Sequence, residues 1–173
     1  MKKIKDLSRL EIAELTRQLP KEKGTYLLFF EMKHARTIRV GKLTETEFAP
    51  GFYAYVGSAF GPGGLHARLR HHLSISERCH WHLDYIRPAM HFLSLWITED
   101  IEPREHDWAG VLQNLPGSQV PVKDLGATDC QCQGHFFRFD QLPSLCDFRK
   151  LLREHDMMGA TVDEVCRYHL KAA

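Results

Sequence analysis

Apolar positions along the chain change period several times, and each change predicts an element. From Ser8 to Leu19 they recur at Leu10, Ala13, Leu15 and Leu19, a helical spacing, with Ser8 placed as N-cap, Glu11 completing a capping box and Pro20 ending the helix. Gly24 to Glu31 is apolar on both alternating faces, which predicts a central strand covered on each side. After a turn over Lys33 to Arg36, the segment Thr37 to Val40 has the pattern of an antiparallel neighbour. Pro50 and Gly51 mark a further turn, and Phe52 to Val56 alternates as a strand. Gly57, Gly61, Pro62, Gly63 and Gly64 then interrupt regular structure until Leu65 opens a helix on which Leu65, Leu69 and Leu73 form one apolar stripe. At about 100° per residue, Arg68 and His72 lie on the edge of that inward stripe, whereas Arg70 and His71 point away.

Further along, Cys79 to Ile86 is a dense cluster of imidazoles and aromatics, ended by Arg87 and Pro88. His91 to Ile97 reads as a strand by alternation and by its aromatics. Pro103 suits a helix first turn, and Glu105, Trp108, Ala109, Leu112 and Leu115 share one face of the helix that follows, which Gly117 closes. A polar loop from Gly126 to His135 leads into a short strand, Phe136 to Phe139. Two amphipathic pieces, around Phe148 to Leu152 and Val162 to Leu170, predict terminal helices.

Composition narrows the partners. A chain of 173 residues, 43% hydrophobic and 26% charged, is sufficient for one well-buried core. Its formal net charge of +1 gives no general field that would draw it onto nucleic acid or membrane, so any polyanion site must be a local patch. No apolar run approaches the ~18 residues of a membrane span, and Met1 to Asp6 leads into no apolar signal segment. The expectation is a cytoplasmic protein with no membrane partner. Five cysteines, an odd number, argue for thiols or metal ligands over a disulfide framework.

Gly24-Thr25-Tyr26, then Tyr55-Val56-Gly57 and Ser58, then Leu65 with Arg68 and His72 at helical offset, and later a helix carrying Glu105, occur in one order and in a strand, turn and helix context. This constellation resembles the GIY-YIG nuclease superfamily over residues 23 to 115. Threonine and valine stand where isoleucine is usual, which preserves a β-branched residue. The separation of Tyr26 from Tyr55 is longer than usual, so Thr37 to Phe48 reads as an inserted hairpin. The clusters around His80 to Tyr85 and Asp129 to His135 look like hallmarks of a branch of the superfamily found alone or fused to endonuclease III-type repair glycosylases.

The resemblance implies an α+β fold, a small antiparallel sheet flanked by helices, here with the inserted hairpin and extra terminal helices. The expected organisation is a single domain over residues 1–173, with an N-terminal helix in 1–20, the core in 23–115, a Cys/His loop and strand in 116–140 and C-terminal helices in 141–173. It also implies endonuclease activity on phosphodiester bonds in nucleic acid, DNA before RNA, with one divalent ion, Mg²⁺ or Mn²⁺. Tyr26 and Tyr55 would flank the scissile phosphate, Arg68 would stabilise its developing charge, His72 would handle protons or contact phosphate, and Glu105 would hold the metal. Gly57, Ser58, Arg70, His80 and His82 are further candidates for contacts with phosphate or substrate. The chemistry is coherent: an already anionic ester needs fixed positive charge where more negative charge develops, and a single carboxylate with retained waters is a common way to hold Mg²⁺.

Blander readings accompany each residue. Strand tyrosines ordinarily pack, a histidine late in a helix is favoured by the dipole alone, and a glutamate in a first turn gains ~0.3 to 1 kcal/mol in the same way. Trp81, Trp96 and Trp108 read as core residues before stacking platforms. Cys79, His80, His82, Cys130, Cys132 and His135 offer borderline ligands in two clusters, but there is no C-x-x-C pair. Zinc on Cys130, Cys132 and His135 is therefore the lesser expectation, beside one in which His80, His82 and Asp84 pack against the Cys130 loop at the rim of the site. Two other functions remain open: a nucleic-acid-binding accessory module without turnover, and a zinc-stabilised interaction protein.

Overall fold

The computed structural model describes residues 8–43, 45–127, 130–155 and 166–168. Its centre is β1 (Gly24–Met32), whose uninterrupted apolar run is buried on both faces at almost every position. β1 pairs antiparallel with β4 (Gly51–Ala59), Tyr26 opposite Gly57, and on its other side with β5 (His91–Glu99). The register to β5 shifts between Phe29 and Phe30, which lie opposite Ser94 and Phe92, so Leu93 is skipped. β6 (Phe136–Phe139) adds to β4 and β7 (Cys166–Tyr168) to β5, giving the order β6-β4-β1-β5-β7. The fold is α+β, an antiparallel sheet flanked by helices.

Two separate cores follow from the period of the strands. On one face Tyr26, Leu28 and Phe30 pack with Leu65, Leu69 and Leu73 of α2 (Gly64–Leu73) and with Leu15 and Leu19 from the α1 (Arg9–Arg17) region. On the other, Leu27, Phe29 and Val56 meet Trp108 and Leu112 of α4 (Glu105–Asn114) and Phe148 of α5 (Leu145–His155). A short α3 (His82–Ile86) runs into a 3-10 turn, Arg87–Ala89, on the α2 side.

Several expectations are met and others corrected. The capping box of Ser8 and Glu11 is present, but Leu10 is 81% exposed and Ile12 packs in its place. The inserted hairpin exists as β2 (Arg36–Arg39) and β3 (Glu45–Phe48), which pair with each other as a separate sheet. β2 is thus no neighbour of β1, because β4 and β5 already occupy both edges of that strand. Pro103 precedes the N-cap Arg104 and lies outside the helix. Trp96 and Trp108 are core residues, whereas Trp81 is half-exposed. The helix expected around Phe148 to Leu152 is α5; of the one expected over Val162 to Leu170, residues 166–168 form β7 and the rest lie outside the described residues.

Candidate functional site

The turn after β4 sets the site. Gly63 and Gly64 adopt φ of 82° and 52°, and a Cβ on Gly64 would collide with the backbone of Lys21 and Glu22, so only glycine lets α2 begin this close to β1. The helix then delivers His72 beneath the sheet, fully buried, with its Nε2 3.0 Å from the Tyr26 hydroxyl. The rings of Tyr26 and Tyr55 each lie 5.7 Å from the His72 ring. Gly57 makes room for this cluster, since a Cβ there would sit 2.5 Å from the Tyr26 hydroxyl oxygen.

Electrostatics decide who donates. Burial, and then the neighbouring Tyr55, push the Tyr26 phenol well above its ordinary value, with Arg68 pulling it down and Glu105 and Asp84 pushing it up. Burial also lowers the basicity of His72 against the opposing pull of Asp84. Around neutral pH the phenol is therefore protonated and the imidazole neutral, so Tyr26 donates to Nε2 and the ring proton lies on Nδ1. That Nδ1 faces Asp84 Oδ1 at 3.7 Å, beyond direct hydrogen-bond length.

Asp84 carries more than its place at the rim suggested. Its Oδ2 is 3.0 Å from His71 Nε2 and accepts the backbone N–H groups of His80 and Trp81 at 2.9 and 3.0 Å. Burial works against its charge, but the neighbouring His72 imidazole and the hydrogen bonds from His71 and the two backbone amides hold it well below the usual carboxylate range. His71 consequently turns towards Asp84 and is half-buried, where helix geometry alone pointed it away. Asp84 is N3 of α3, where it caps the Trp81 N–H, and its reach across to α2 is a tertiary fact.

Arg68 lies with its guanidinium 4.2 Å from the Trp81 ring centre, and no carboxylate pairs with it among the described residues. A groove of about 170 Å³ beside it is lined by Gly61, Pro62, Gly64, Ala67, Arg68 and Trp81. Arg70 and His80 are exposed. His82 is not: its Nδ1 accepts the Gly126 N–H at 2.9 Å, tying α3 to the loop that follows Leu125.

Glu105 arrives from the opposite face. Tyr26 and Tyr55 project on the α2 side, whereas α4 packs on the other side of the sheet. The carboxylate reaches the same strand end as the phenols by accepting a hydrogen bond from Ser58, whose hydroxyl is 3.3 Å from that of Thr25. Thr25 in turn accepts the N–H of Arg104 at 2.9 Å, which seats the start of α4. Glu105, Ser58 and Thr25 present only oxygen atoms, a donor set that fits a hard divalent ion such as Mg²⁺ or Mn²⁺.

The cysteine loop lies next to this corner. Cys130 Sγ is 3.6 Å from His135 Nε2 and Cys132 Sγ is 3.4 Å from His106 Nδ1. Burial, then the Cys130 thiol, push Cys132 up to about 11. Cys79, His80 and His82 are not in this cluster, and His106, which the sequence did not single out, is.

No helix among the described residues is long and apolar enough to cross a membrane. Searches of curated proteins and of solved structures found no match. The model of one family, described as a domain of unknown function, DUF123, matches residues 25–157, a span from the second residue of β1 to just past α5 that contains every residue of the site. The chain therefore belongs to the DUF123 family.

Proposed function

We propose that this protein is a metal-dependent endonuclease of the GIY-YIG type, hydrolysing phosphodiester bonds in nucleic acid, with DNA as substrate and the cytoplasm as its place of action. The observation that carries the reading is the gathering of Tyr26, Tyr55, His72, Arg68 and Glu105 at one end of β4, with the charges of Arg68 and Glu105 both acting on the Tyr26 phenol. A phosphate entering the groove beside Arg68 would meet a guanidinium that no carboxylate neutralises among the described residues. Arg68 would then stabilise charge developing on the non-bridging oxygens. In this reading the neutral His72 would take the proton of Tyr26, with which it is hydrogen-bonded, as that phenol takes one from the attacking water, and Asp84 would favour the imidazolium that results. Glu105 and Ser58 would hold a divalent ion, which when bound supplies Lewis-acid charge at the phosphate.

One observation favours a second reading. Tyr26 is 1% exposed, which suits a packed residue in a nucleic-acid-binding module without turnover. Purified protein with Mg²⁺ or Mn²⁺ is to be tested on plasmid DNA, single-stranded DNA and RNA, beside Glu105→Ala and Arg68→Ala. The expected outcome is nicking of DNA that falls by about 10²-fold or more in both variants while circular dichroism stays unchanged. Nicking that persists in both variants sinks the proposal, and wild-type binding without nicking supports the second reading.

A further inference from the structure

The sheet corner below α4 holds four side chains from three parts of the chain: His106 in the first turn of α4, Cys130 and Cys132 in the loop, and His135 immediately before β6. One ligand atom from each lies within 4.8 Å of all the others. A tetrahedral zinc ion with Zn–S of about 2.3 Å and Zn–N of about 2.0 to 2.1 Å requires sulfur-to-nitrogen edges of roughly 3.5 to 3.6 Å. Two of the four sulfur-to-nitrogen pairs, Cys130 with His135 and Cys132 with His106, lie 3.6 and 3.4 Å apart, close to the edge length of such a tetrahedron. The ligand set, two thiols and two imidazoles, is a borderline-soft one that selects zinc over Mg²⁺ or Ca²⁺.

We propose that His106, Cys130, Cys132 and His135 form a structural zinc site. Binding replaces two thiol protons: one Zn²⁺ and two Cys–SH groups give a bis-thiolate site of zero net charge and two protons released to solvent, with both imidazoles neutral. The backbone around the ligands is arranged to hold them. His135 donates its N–H to Leu125 O at 2.8 Å and accepts from Val56 N–H at 3.0 Å, and Asp124 N–H bonds to Gln133 O at 2.9 Å, which folds the loop back on itself. Asp124 and Gly126 take φ of 62° and 78° to make that return. The ion would tie the first turn of α4 to the chain just before β6, two elements that also share one core, and it would fix the turn that carries Glu105. All four protein ligands close the coordination sphere, the mark of a structural and not a catalytic ion. The proposal stands whether or not the protein cleaves nucleic acid.

The test uses the full chain purified from zinc-supplemented cells without chelator. Elemental analysis is expected to find close to one zinc per chain. The Co²⁺-exchanged protein is expected to show the visible ligand-field bands of tetrahedral cobalt together with a near-ultraviolet thiolate charge-transfer band. Cys132→Ser and His106→Ala should each weaken zinc affinity, measured against a competing chelator, by about a hundredfold or more, and Cys146→Ser, on the exposed side of α5, should leave it unchanged. A protein free of zinc, a cobalt spectrum without the thiolate band, or equal affinity in the Cys132→Ser and His106→Ala variants overturns the proposal. The cobalt spectrum is read on the unaltered chain, so poor folding of a variant cannot rescue it.

Discussion

His72 is where the physics of a single side chain matters most. Burial lowers its pKa in the folded protein below the ~6.5 of the unfolded chain, so between those two values the unfolded state binds the extra proton. Stability attributable to His72 is thus complete above about pH 6.5 and declines as pH falls through the folded value. Asp84 acts in the same direction further down: its depressed folded pKa contributes stability above ~3.9 that is lost as the pH falls below that value. Melting temperatures recorded from pH 8 to pH 5 are expected to fall in the wild type, and to fall less in His72→Gln, which keeps the shape of the site without a titrating ring. Equal pH dependence in the two proteins would contradict this account. Tyr26 and Gly57 illustrate what could be read at this scale beforehand. Their motif context was visible along the chain, whereas the reason for the glycine, a phenol lying over it, depends on the strand register.

At the scale of elements, α2 is held at its C-terminus by an arginine from another segment. Arg87 is 4% exposed; its Nε donates to His72 O at 3.1 Å, and its two terminal nitrogens donate to Met90 O and Leu73 O at 2.8 and 3.2 Å. It satisfies carbonyls that no further turn of helix reaches, and its charge complements the negative end of the helix dipole. Its guanidinium also lies 5.2 Å from the Phe30 ring centre. Arg87→Met retains much of the packing but strands those carbonyls, and a loss of about 2 to 4 kcal/mol in urea unfolding is expected. A change below about 0.5 kcal/mol would mean that water replaces the arginine at no cost. Periodicity found α1, α2, α4, α5 and most strands because each has an apolar face or, in β1, two. It misassigned β2, because nothing in a four-residue alternating segment names its partner, and it missed the strand at 166–168 because three residues carry no period.

Over the whole molecule, positive and negative charges nearly cancel, so under the proposed function any hold on nucleic acid would come from the few cations of α2 and its groove. Affinity for DNA is expected to fall with salt along a shallow log–log slope of about −2 to −3, and Arg70→Ala should reduce that slope by about one while leaving the fold intact. A slope as steep as that of a strongly basic protein would point to a binding face elsewhere. What the sequence by itself determined was local: which segments are apolar on one face or two, where glycine must turn the chain, and which residue types could bear phosphate chemistry. Tertiary structure alone decided that α4 brings Glu105 round from the opposite face to Ser58, that Asp84 crosses to the two histidines of α2, and that His106 completes a set with Cys130, Cys132 and His135. The physical reason is that period and propensity act over one or two turns of chain, whereas these encounters join residues far apart in sequence. They exist only once two cores have packed against the two faces of β1.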